Sequence, residues 1–345
     1  MESVKVVFFQ RHSECAFEKN KFYLEKENKM KLITFTKNGF SRIGAVTDDH
    51  KVVDLNYAYQ AQLRSEDKYR YKEIAEAFVP ATMEAFLQGG KESMELAKKA
   101  IDYAVANPDS FDHPLVWNKD EVKTEAPVTN PGKILAVGHN YREHILEMGR
   151  DLPENPVMFA KFANTVIGPE DDIPYFPISE MLDYEAEFAF VIGKQARNVS
   201  EEDALDYVAG YTIANDVTYR DIQRRTLQWL QGKTIDGSAP MGPWLVTTDE
   251  ITDPAGLEIF LTVNGEERQR SNTENLVFDV KKMLSFASGL MTLEPGDVIL
   301  TGTPGGVGFA RDPQTFLKDG DVVRIEVDHV GVLENKVSLQ KEENN

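Results

Sequence analysis

Two glutamates with one residue between them, Glu185 and Glu187, precede a continuous apolar run at 188–192 that stops at Gly193. Such a run, rich in β-branched and aromatic residues, is typical of a buried strand. Because side chains alternate along a strand, both glutamates point to the same face. Two adjacent carboxylates there repel each other, so either one is protonated or a cation lies between them. Their oxygens suit Mg²⁺ or Mn²⁺, and a solvated strand end is the alternative.

A third acid, Asp216, lies in the turn between a strand-like segment at 211–214 and a predicted helix. Thr218, followed three residues later by Asp221, is the signature of a helix N-terminus. Because the backbone is fixed on both sides of the turn, Asp216 is well placed to act as a metal ligand. An ordinary turn acid is the alternative.

Two polar residues that follow this acid could bind an anion, and a lysine further along could lie near the acids. Arg220 and Gln223 lie three residues apart, so they share one face of the predicted helix and could present a positive charge and an amide to a substrate. Lys233 could lie near the acids. Exposed helix polarity and a solvated loop lysine are the alternatives.

A histidine and a glutamate three residues apart, His144 and Glu147, share a face if the segment 139–149 is helical. A carboxylate beside an imidazole raises its basicity and fixes its orientation, as a general base requires. A surface pair is the alternative.

Further along, a strand leads into the glycine-rich turn 302–308, which lacks the lysine of a nucleotide-binding loop. A tight turn that brings the Thr303 hydroxyl close to a ligand is the better interpretation.

Composition excludes several classes of function. The 345 residues include 38 basic and 57 acidic side chains, a net charge of −19, and no basic cluster, so a nucleic-acid or membrane-surface partner is not expected. The one cysteine, Cys15, excludes an internal disulfide framework and fits a reducing compartment. No apolar run approaches the roughly 18–20 residues that cross a bilayer. His and Cys spacings do not support zinc, and a G-x-S-x-G elbow is absent. We therefore expect a soluble, cytoplasmic protein.

The elements that position these residues suggest four parts. Residues 1–29 are expected to be an N-terminal extension or a product of start-site choice, with Met30 as the natural start of the domain. Residues 30–130 form a small N-terminal domain and linker, 131–341 the catalytic domain, and 342–345 a polar tail. In the small domain we predict strands at 31–36, 41–46 and 51–55, a helix from Thr82, a helix at 91–105, and a linker at 121–131. In the larger part we predict strands at 133–138, 240–246, 257–263 and 322–327, a helix capped by Ser200, and a helix at 278–290 capped by Asp279.

Four motifs in unbroken order resemble the fumarylacetoacetate hydrolase family over about residues 132–341. They are Gly138-His139-Asn140-Tyr141, Asp183-Tyr184-Glu185-Ala186-Glu187, Asn215-Asp216-Val217-Thr218-Tyr219-Arg220-Asp221, and Gly302-Thr303-Pro304-Gly305-Gly306-Val307-Gly308. The region before them matches only loosely the small domain of some bacterial members. The resemblance implies an α+β, predominantly β fold, a mixed β-sandwich roll with a small N-terminal α/β domain, and a homodimer.

The resemblance also implies roles for individual residues. Mg²⁺ or Mn²⁺, with Ca²⁺ as a possible substitute, would be held by Glu185, Glu187 and Asp216. In members similar to the acylpyruvase branch, a His-x-x-Glu pair on a closing lid helix is the general base, and it falls on His144 and Glu147. Lys233 is a further catalytic position, and the substrate contacts fall on Tyr141, Arg220, Gln223 and Thr303. His139 stands where that branch often has Arg or Lys, which leaves the choice of substrate open.

The implied reaction is metal-dependent C–C bond cleavage in a small oxo-carboxylate through an enolate, by hydrolysis or decarboxylation. One alternative is isomerisation or decarboxylation of aromatic ring-cleavage products of the 2-hydroxyhepta-2,4-diene-1,7-dioate type. Another, of a different class, is a non-catalytic metabolite-binding protein. Fold alone does not choose between them.

Overall fold

The computed structural model describes residues 30–147, 149 and 151–341. The predicted N-terminal extension 1–29, with Cys15, and the tail 342–345 lie outside the described residues. The described chain mixes α and β with sheet dominating, which confirms the predicted fold class. Among these residues no helix is both long enough and apolar enough to cross a membrane.

The strands of the described chain are numbered in chain order. They are β1 Lys31–Lys37, β2 Phe40–Val46, β3 Lys51–Asp54, β4 Val116–Asn118, β5 Lys123–Glu125, β6 Ile134–Gly138, β7 Val157–Lys161, β8 Val166–Ile167, β9 Ile173–Tyr175, β10 Leu182–Asp183, β11 Ala186–Ile192, β12 Val208–Asn215, β13 Thr218–Tyr219, β14 Ala239–Thr247, β15 Glu258–Val263, β16 Glu266–Asn272, β17 Val298–Leu300, β18 Val322–Val327 and β19 Gly331–Leu339.

The helices are numbered in the same way. They are α1 Leu55–Ser65, α2 Tyr71–Phe78, α3 Met83–Gln88, α4 Gly90–Ala106, α5 Arg142–Glu147, α6 Arg220–Arg224, α7 Leu230–Lys233 and α8 Val280–Leu290.

Two sheets enclose the main core of the described chain. The larger has twelve strands in the order β4-β3-β2-β1-β14-β12-β11-β17-β6-β7, with β5 beside β1 and β8 beside β14. The smaller has five strands in the order β16-β15-β18-β19-β9. Apolar side chains of both sheets meet between them, such as Phe188 and Ile213 from the larger and Ile259 and Ile325 from the smaller. This burial of two apolar faces stabilises the sandwich.

The segment 30–130 is built into this architecture. Leu32 of β1 lies opposite Leu245 of β14 in antiparallel pairing, so the small domain extends the large sheet. Leu32 and Phe86 belong to one buried cluster with Val191 of β11. The predicted boundary near residue 130 stays a prediction, because sheet and core continue across it.

The structure corrects several predicted elements. The predicted linker contains β5, which pairs with Thr34–Thr36 of β1. Helices α1 and α2 stand where no helix was predicted, and α1 begins because the Asp54 carboxylate accepts a hydrogen bond from the Tyr57 amide. Ser200 leads only to a short 3₁₀ turn. The cap at Asp279 is confirmed, since its side chain accepts from the Lys282 amide.

The strands around β11 bring the site residues to one edge of the sheet. β11 runs antiparallel to both β12 and β17, with Glu187 opposite Ala214 and Ala189 opposite Leu300. β17 runs parallel to β6. The start of β11, the end of β12 and the carboxyl ends of β17 and β6 therefore meet, and the chain segments that leave them carry the predicted site residues.

Candidate active site

The three predicted acids come together at this edge. Each of Glu185, Glu187 and Asp216 is buried, and one carboxylate oxygen from each lies within 4.8 Å of the others. Backbone contacts fix them, because the Asp216 amide donates to the Glu185 carbonyl at 2.9 Å. The Glu185 amide donates to the Asn215 side chain at 3.0 Å. The predicted acid cluster is therefore present in the fold.

Two buried cations compensate Glu185. Lys233 Nζ lies 2.7 Å from Glu185 Oε2 and 2.6 Å from Asp216 Oδ2. Arg220 Nη1 lies 2.7 Å from Glu185 Oε1, and its Nε donates to Asp183 at 2.7 Å. Burial alone would raise the pKa of Glu185, but the charges of Lys233 and Arg220 outweigh it and hold this pKa far below its ordinary value. Glu185 is a carboxylate.

Glu187 has the opposite environment. Burial, followed by the charges of Asp216 and Glu185, raises the pKa of Glu187 well above its ordinary value. Its Oε2 accepts one hydrogen bond, from the Gly302 amide at 2.6 Å. No Lys or Arg among the described residues forms an ion pair with it. This carboxyl is the member of the cluster that lacks a compensating charge.

A buried lysine that no sequence pattern indicated, Lys161, is a third cation of the cluster. It is buried at the end of β7, lies 2.8 Å from Asp216 Oδ1, and donates to the Lys233 carbonyl at 2.5 Å. Burial lowers the pKa of Lys161, while Asp216 opposes that effect. A single lysine at the end of an apolar strand is usually a surface residue, so the sequence did not predict Lys161 as part of the site.

The donor set fits a divalent cation. Four acids, Asp183, Glu185, Glu187 and Asp216, face three cations, Lys161, Arg220 and Lys233, and Glu187 is the acid that forms no ion pair among the described residues. Asp216 Oδ1 lies 2.8 Å from Lys161 Nζ but has no hydrogen-bond partner of good geometry among the described residues, so a cation at the cluster would share this buried oxygen with Lys161. Carboxylate oxygens are the ligands that Mg²⁺ and Mn²⁺ prefer. Glu185, Glu187 and Asp216 would hold the ion.

His144 and Glu147 form the predicted pair on α5. His144 is buried, and its Nδ1 lies 3.4 Å from Glu147 Oε2. The Gly306 amide is 3.2 Å from the same oxygen. The hydrogen bond with His144 and the Gly306 amide lower the pKa of Glu147 against the opposing effect of burial. With Nδ1 engaged, Nε2 is the ring nitrogen available for proton transfer.

Most predicted residues line one cavity of about 230 Å³. The cavity wall includes His144, Glu185, Glu187, Arg220, Gln223, Lys233 and Thr303, together with the apolar side chains Phe159, Leu227, Trp229, Val307 and Phe309. The volume is below the roughly 300–1,000 Å³ that is usual for drug-sized ligands. A small ligand is therefore expected.

Three predicted residues lie behind the wall. Asp216 contacts the cavity through Lys233, and Glu147 through His144. Tyr141 is fully buried, is not among the lining residues, and its hydroxyl has no hydrogen-bond partner in the described chain. Burial, then the charge of Glu187, raises the pKa of Tyr141. Its role as a substrate contact stays a prediction.

Two further residues hold the glycine-rich turn against the site. Gln269 donates to Thr303 Oγ1 at 2.8 Å and accepts from the Ala186 amide at 2.9 Å. Asp183 accepts from the Gly308 and Phe309 amides at 2.8 and 3.0 Å. Asp183 stood in a motif that the sequence analysis identified, whereas Gln269 comes from β16 of the other sheet and no local pattern indicated it.

Known proteins share this sequence and architecture. Residues 133–338 match the family model described as Fumarylacetoacetate (FAA) hydrolase C-terminal. The mitochondrial oxaloacetate tautomerase fahd2 of Xenopus laevis is 44% identical over 299 residues, which cover 86% of this chain and 86% of that protein.

Two solved structures are also similar. The fumarylacetoacetate hydrolase from Exiguobacterium antarcticum has a TM-score of 0.72 at 34% identity, covering 90% of this chain and 100% of that one. The maleylpyruvate hydrolase from Sphingobium sp. SYK-6, in complex with manganese (II) ion and pyruvate, has a TM-score of 0.68 at 30% identity, with the same coverage. All three relatives are named as enzymes.

Proposed function

The chain belongs to the fumarylacetoacetate hydrolase family, as its four motifs predicted, and from that premise we propose that it interconverts the keto and enol forms of a small 2-oxo dicarboxylic acid such as oxaloacetate. The observation that carries this proposal is that the His144–Glu147 pair and the acid cluster serve one small cavity. The similarity to an oxaloacetate tautomerase supports it.

Keto–enol exchange moves one proton between a carbon and an oxygen, and it consumes no water. His144 Nε2 would accept the proton from the carbon beside the 2-oxo group and return it to the oxygen. Glu147 holds the imidazole through Nδ1 and stabilises its charged form. When bound at the acid cluster, Mg²⁺ or Mn²⁺ would supply Lewis-acid polarisation of the 2-oxo group.

The polar side chains Arg220 and Gln223 of the cavity wall would bind the carboxylate of the substrate. Arg220 is held by Asp183 and Glu185, yet its Nη2 is buried with no hydrogen-bond partner in the described chain. Gln223 contacts Arg220 Nη1 at 3.3 Å. A substrate carboxylate at Arg220 and Gln223 would satisfy this donor and fix the substrate relative to His144.

C–C bond cleavage is the second candidate, and the names of the two solved hydrolases favour it. The same binding groups would serve, but His144 would deprotonate water for hydrolysis, whereas decarboxylation needs no water attack. The reactions therefore differ in what the histidine activates.

The test follows both reactions in one sample. Freshly dissolved oxaloacetate is mixed with metal-stripped protein and with protein restored with Mg²⁺ or Mn²⁺, while enol absorbance reports tautomerisation and a pyruvate assay reports decarboxylation. An acylpyruvate tests hydrolysis in parallel. We expect metal-dependent acceleration of enol exchange that exceeds pyruvate formation. Metal-loaded protein that leaves the exchange rate at the buffer value would contradict the proposal.

We further propose that the protein forms a homodimer and is located in the cytoplasm. The homodimer that the family resemblance implies is tested by sedimentation at several protein concentrations. A cytoplasmic location stays a prediction, and the Xenopus laevis relative is named mitochondrial. Fractionation of the source cells tests it.

A further inference from the structure

We infer that Arg224 binds the second carboxylate of the substrate and so makes the site selective for short dicarboxylic 2-oxo acids over monocarboxylic ones. This inference rests on the proposed function for the identity of the substrate, and it assigns the selectivity to one side chain. The three lining residues with permanent positive charge, Arg220, Arg224 and Lys233, provide the starting point.

Two of those charges are already neutralised by protein carboxylates. Arg220 is paired with Asp183 and Glu185, and Lys233 with Glu185 and Asp216. Within residues 30–147, 149 and 151–341, Arg224 makes neither an ion pair nor a hydrogen bond; its contact is with the ring of Phe309, 4.5 Å from the centroid. Arg224 therefore brings an uncompensated positive charge to the cavity wall.

The contact with Phe309 orients Arg224 without neutralising it. An aromatic face under a guanidinium restricts the plane of the group while its N–H donors remain unsatisfied. Those donors form the planar fork that matches a carboxylate. The neighbouring lining residues Leu227, Trp229 and Val307 are largely apolar. The Thr226 hydroxyl donates to the Gln228 carbonyl at 3.0 Å, so Arg224 is the charged group in this part of the wall.

The spacing of Arg220 and Arg224 suits a short diacid. They are the first and last residues of α6, four positions apart, so they project from the same side of the helix with Cβ atoms about 5–6 Å apart. Only two carbons separate the carboxylates of oxaloacetate. A diacid held at Arg220 by one carboxylate therefore brings the other within reach of Arg224, whereas a monocarboxylic acid presents no group for Arg224.

The chain provides a matched control in the next residue. Arg225 carries the same charge and is also exposed, but its Nε donates to Gln231 at 2.6 Å and it does not line the cavity. Replacing Arg225 by Gln removes the same charge from the protein. It leaves the cavity wall unchanged.

The experiment measures Kd for oxaloacetate and for 2-oxobutyrate, in which a methyl group replaces the distal carboxylate, on Mg²⁺-loaded full-length protein by calorimetry. Wild-type protein should bind oxaloacetate more tightly. Arg224→Gln should weaken oxaloacetate binding about tenfold and leave 2-oxobutyrate binding unchanged. The Kd of Arg224→Lys for oxaloacetate should lie between those of wild type and Arg224→Gln. The Kd of Arg225→Gln should equal that of wild type.

Each outcome decides the inference separately from the proposed function. If Arg224→Gln weakens both ligands equally or neither, or if wild-type protein binds neither, the inference is overturned. Tautomerisation that continues with unchanged selectivity in Arg224→Gln would overturn the inference and leave the proposed function standing. Arg224-dependent binding of oxaloacetate without turnover would support the inference while removing the proposed reaction.

Discussion

Lys161 shows how a single buried charge holds the site together. Its ammonium group bridges Asp216 Oδ1 and the carbonyl of Lys233, so it fixes one acid and the backbone that carries the other cation. Both side chains of the Lys161–Asp216 pair are fully buried. Removing one member of such a pair leaves the other charge buried without compensation.

We therefore predict that Lys161→Met lowers the free energy of unfolding by about 3–5 kcal/mol. Lys119→Met is the control, because Lys119 and Glu170 form an exposed pair at 2.8 Å. An exposed pair of this kind contributes about 0–1 kcal/mol. Urea denaturation of both variants makes the comparison, and equal losses would show that Lys161 has no special structural role.

The ionisation of Glu147 should make the stability of the folded protein depend on pH. Its pKa lies below the ordinary value, chiefly because of the hydrogen bond with His144, with the Gly306 amide acting in the same direction against burial. A carboxyl with a lowered folded pKa contributes stability that is complete above its unfolded pKa of about 4.3. That contribution is lost as pH falls through the folded value.

The stability difference between wild type and Glu147→Gln should therefore be constant near neutral pH and shrink below about pH 4. Denaturation curves at several pH values measure it. Glu154→Gln is a control, since Glu154 is an exposed acid in the loop before β7. A stability difference that stays constant below about pH 4 would mean that the ionised Glu147 carboxylate is not stabilised by His144 and the Gly306 amide.

The residues of the acid cluster could be predicted because their signals are local. Glu185 and Glu187 are two apart at the start of β11, and His144 and Glu147 are three apart on one helical face, so backbone geometry alone places each pair. Lys161, Gln269 and Arg224 could not be predicted in this way. Each reaches its partners across the fold, and a lysine, a glutamine or a second arginine in a polar run is ordinary in sequence.

At the scale of elements, the turn after β17 positions Glu187. Gly302 has φ +97°, and a Cβ there would lie 2.7 Å from the Val137 carbonyl oxygen and 2.9 Å from the Asn140 side chain. Its amide donates to Glu187. Glycine at this position therefore allows the strand end to approach β6 closely enough to bind the acid.

Gly302→Ala should destabilise the protein by about 1–3 kcal/mol and weaken Mg²⁺ binding, because the backbone must shift away from Glu187. Gly289→Ala is the control. That glycine lies inside α8 with open space around its Cβ position, so alanine should stabilise the helix by about 0.5–1 kcal/mol. Thermal unfolding with and without Mg²⁺ measures both effects, and a Gly302→Ala protein with unchanged metal affinity would contradict this role for the turn.

Helices and strands with a clear hydrophobic periodicity, turn or cap could be predicted from the sequence. Those that form only because a neighbouring strand pairs with them could not. Strand β11, the hairpin that joins β15 to β16 through the turn at Asn264-Gly265, and the capped helix α8 each carry a local signal in the sequence. β5 is three residues long and exists because β1 offers an open edge, so its sequence looks like a linker. Helix α1 had a usable signal in Asp54, followed by Leu55, Ala58 and Tyr59 at helical spacing.

At the scale of the whole molecule, the cavity offers positive charge in a protein that is acidic overall. The chain has a net charge of −19, which repels anionic ligands over most of its surface. At the cavity, Arg220 and Lys233 are neutralised by protein carboxylates, so Arg224 and a divalent cation held by the acids would supply the positive charge that an anionic ligand meets. An acidic protein can therefore attract a small dianion at one place.

The shared sheet makes a last prediction about folding. Leu32 lies on β1, opposite Leu245 of β14, and it is fully buried in the cluster that also contains Val191 of the central strand. If the segment 30–130 unfolded alone, β14 would lose a hydrogen-bonded neighbour and this cluster would be exposed to water. We therefore expect the full chain to unfold in a single calorimetric transition. We also expect the isolated segment 131–341 to aggregate or remain unfolded.

A substitution tests the same coupling in the intact chain. Leu32→Asp should lower the temperature of the whole transition, including that of the ligand-binding part, because one buried charge disrupts a core common to both segments. Phe40→Asp is the control, since Phe40 on β2 is 72% exposed and its replacement should change little. Two separate transitions in the Leu32→Asp protein, with Mg²⁺ still raising the upper one, would show that the two segments are independent domains and that the sheet between them adds little stability.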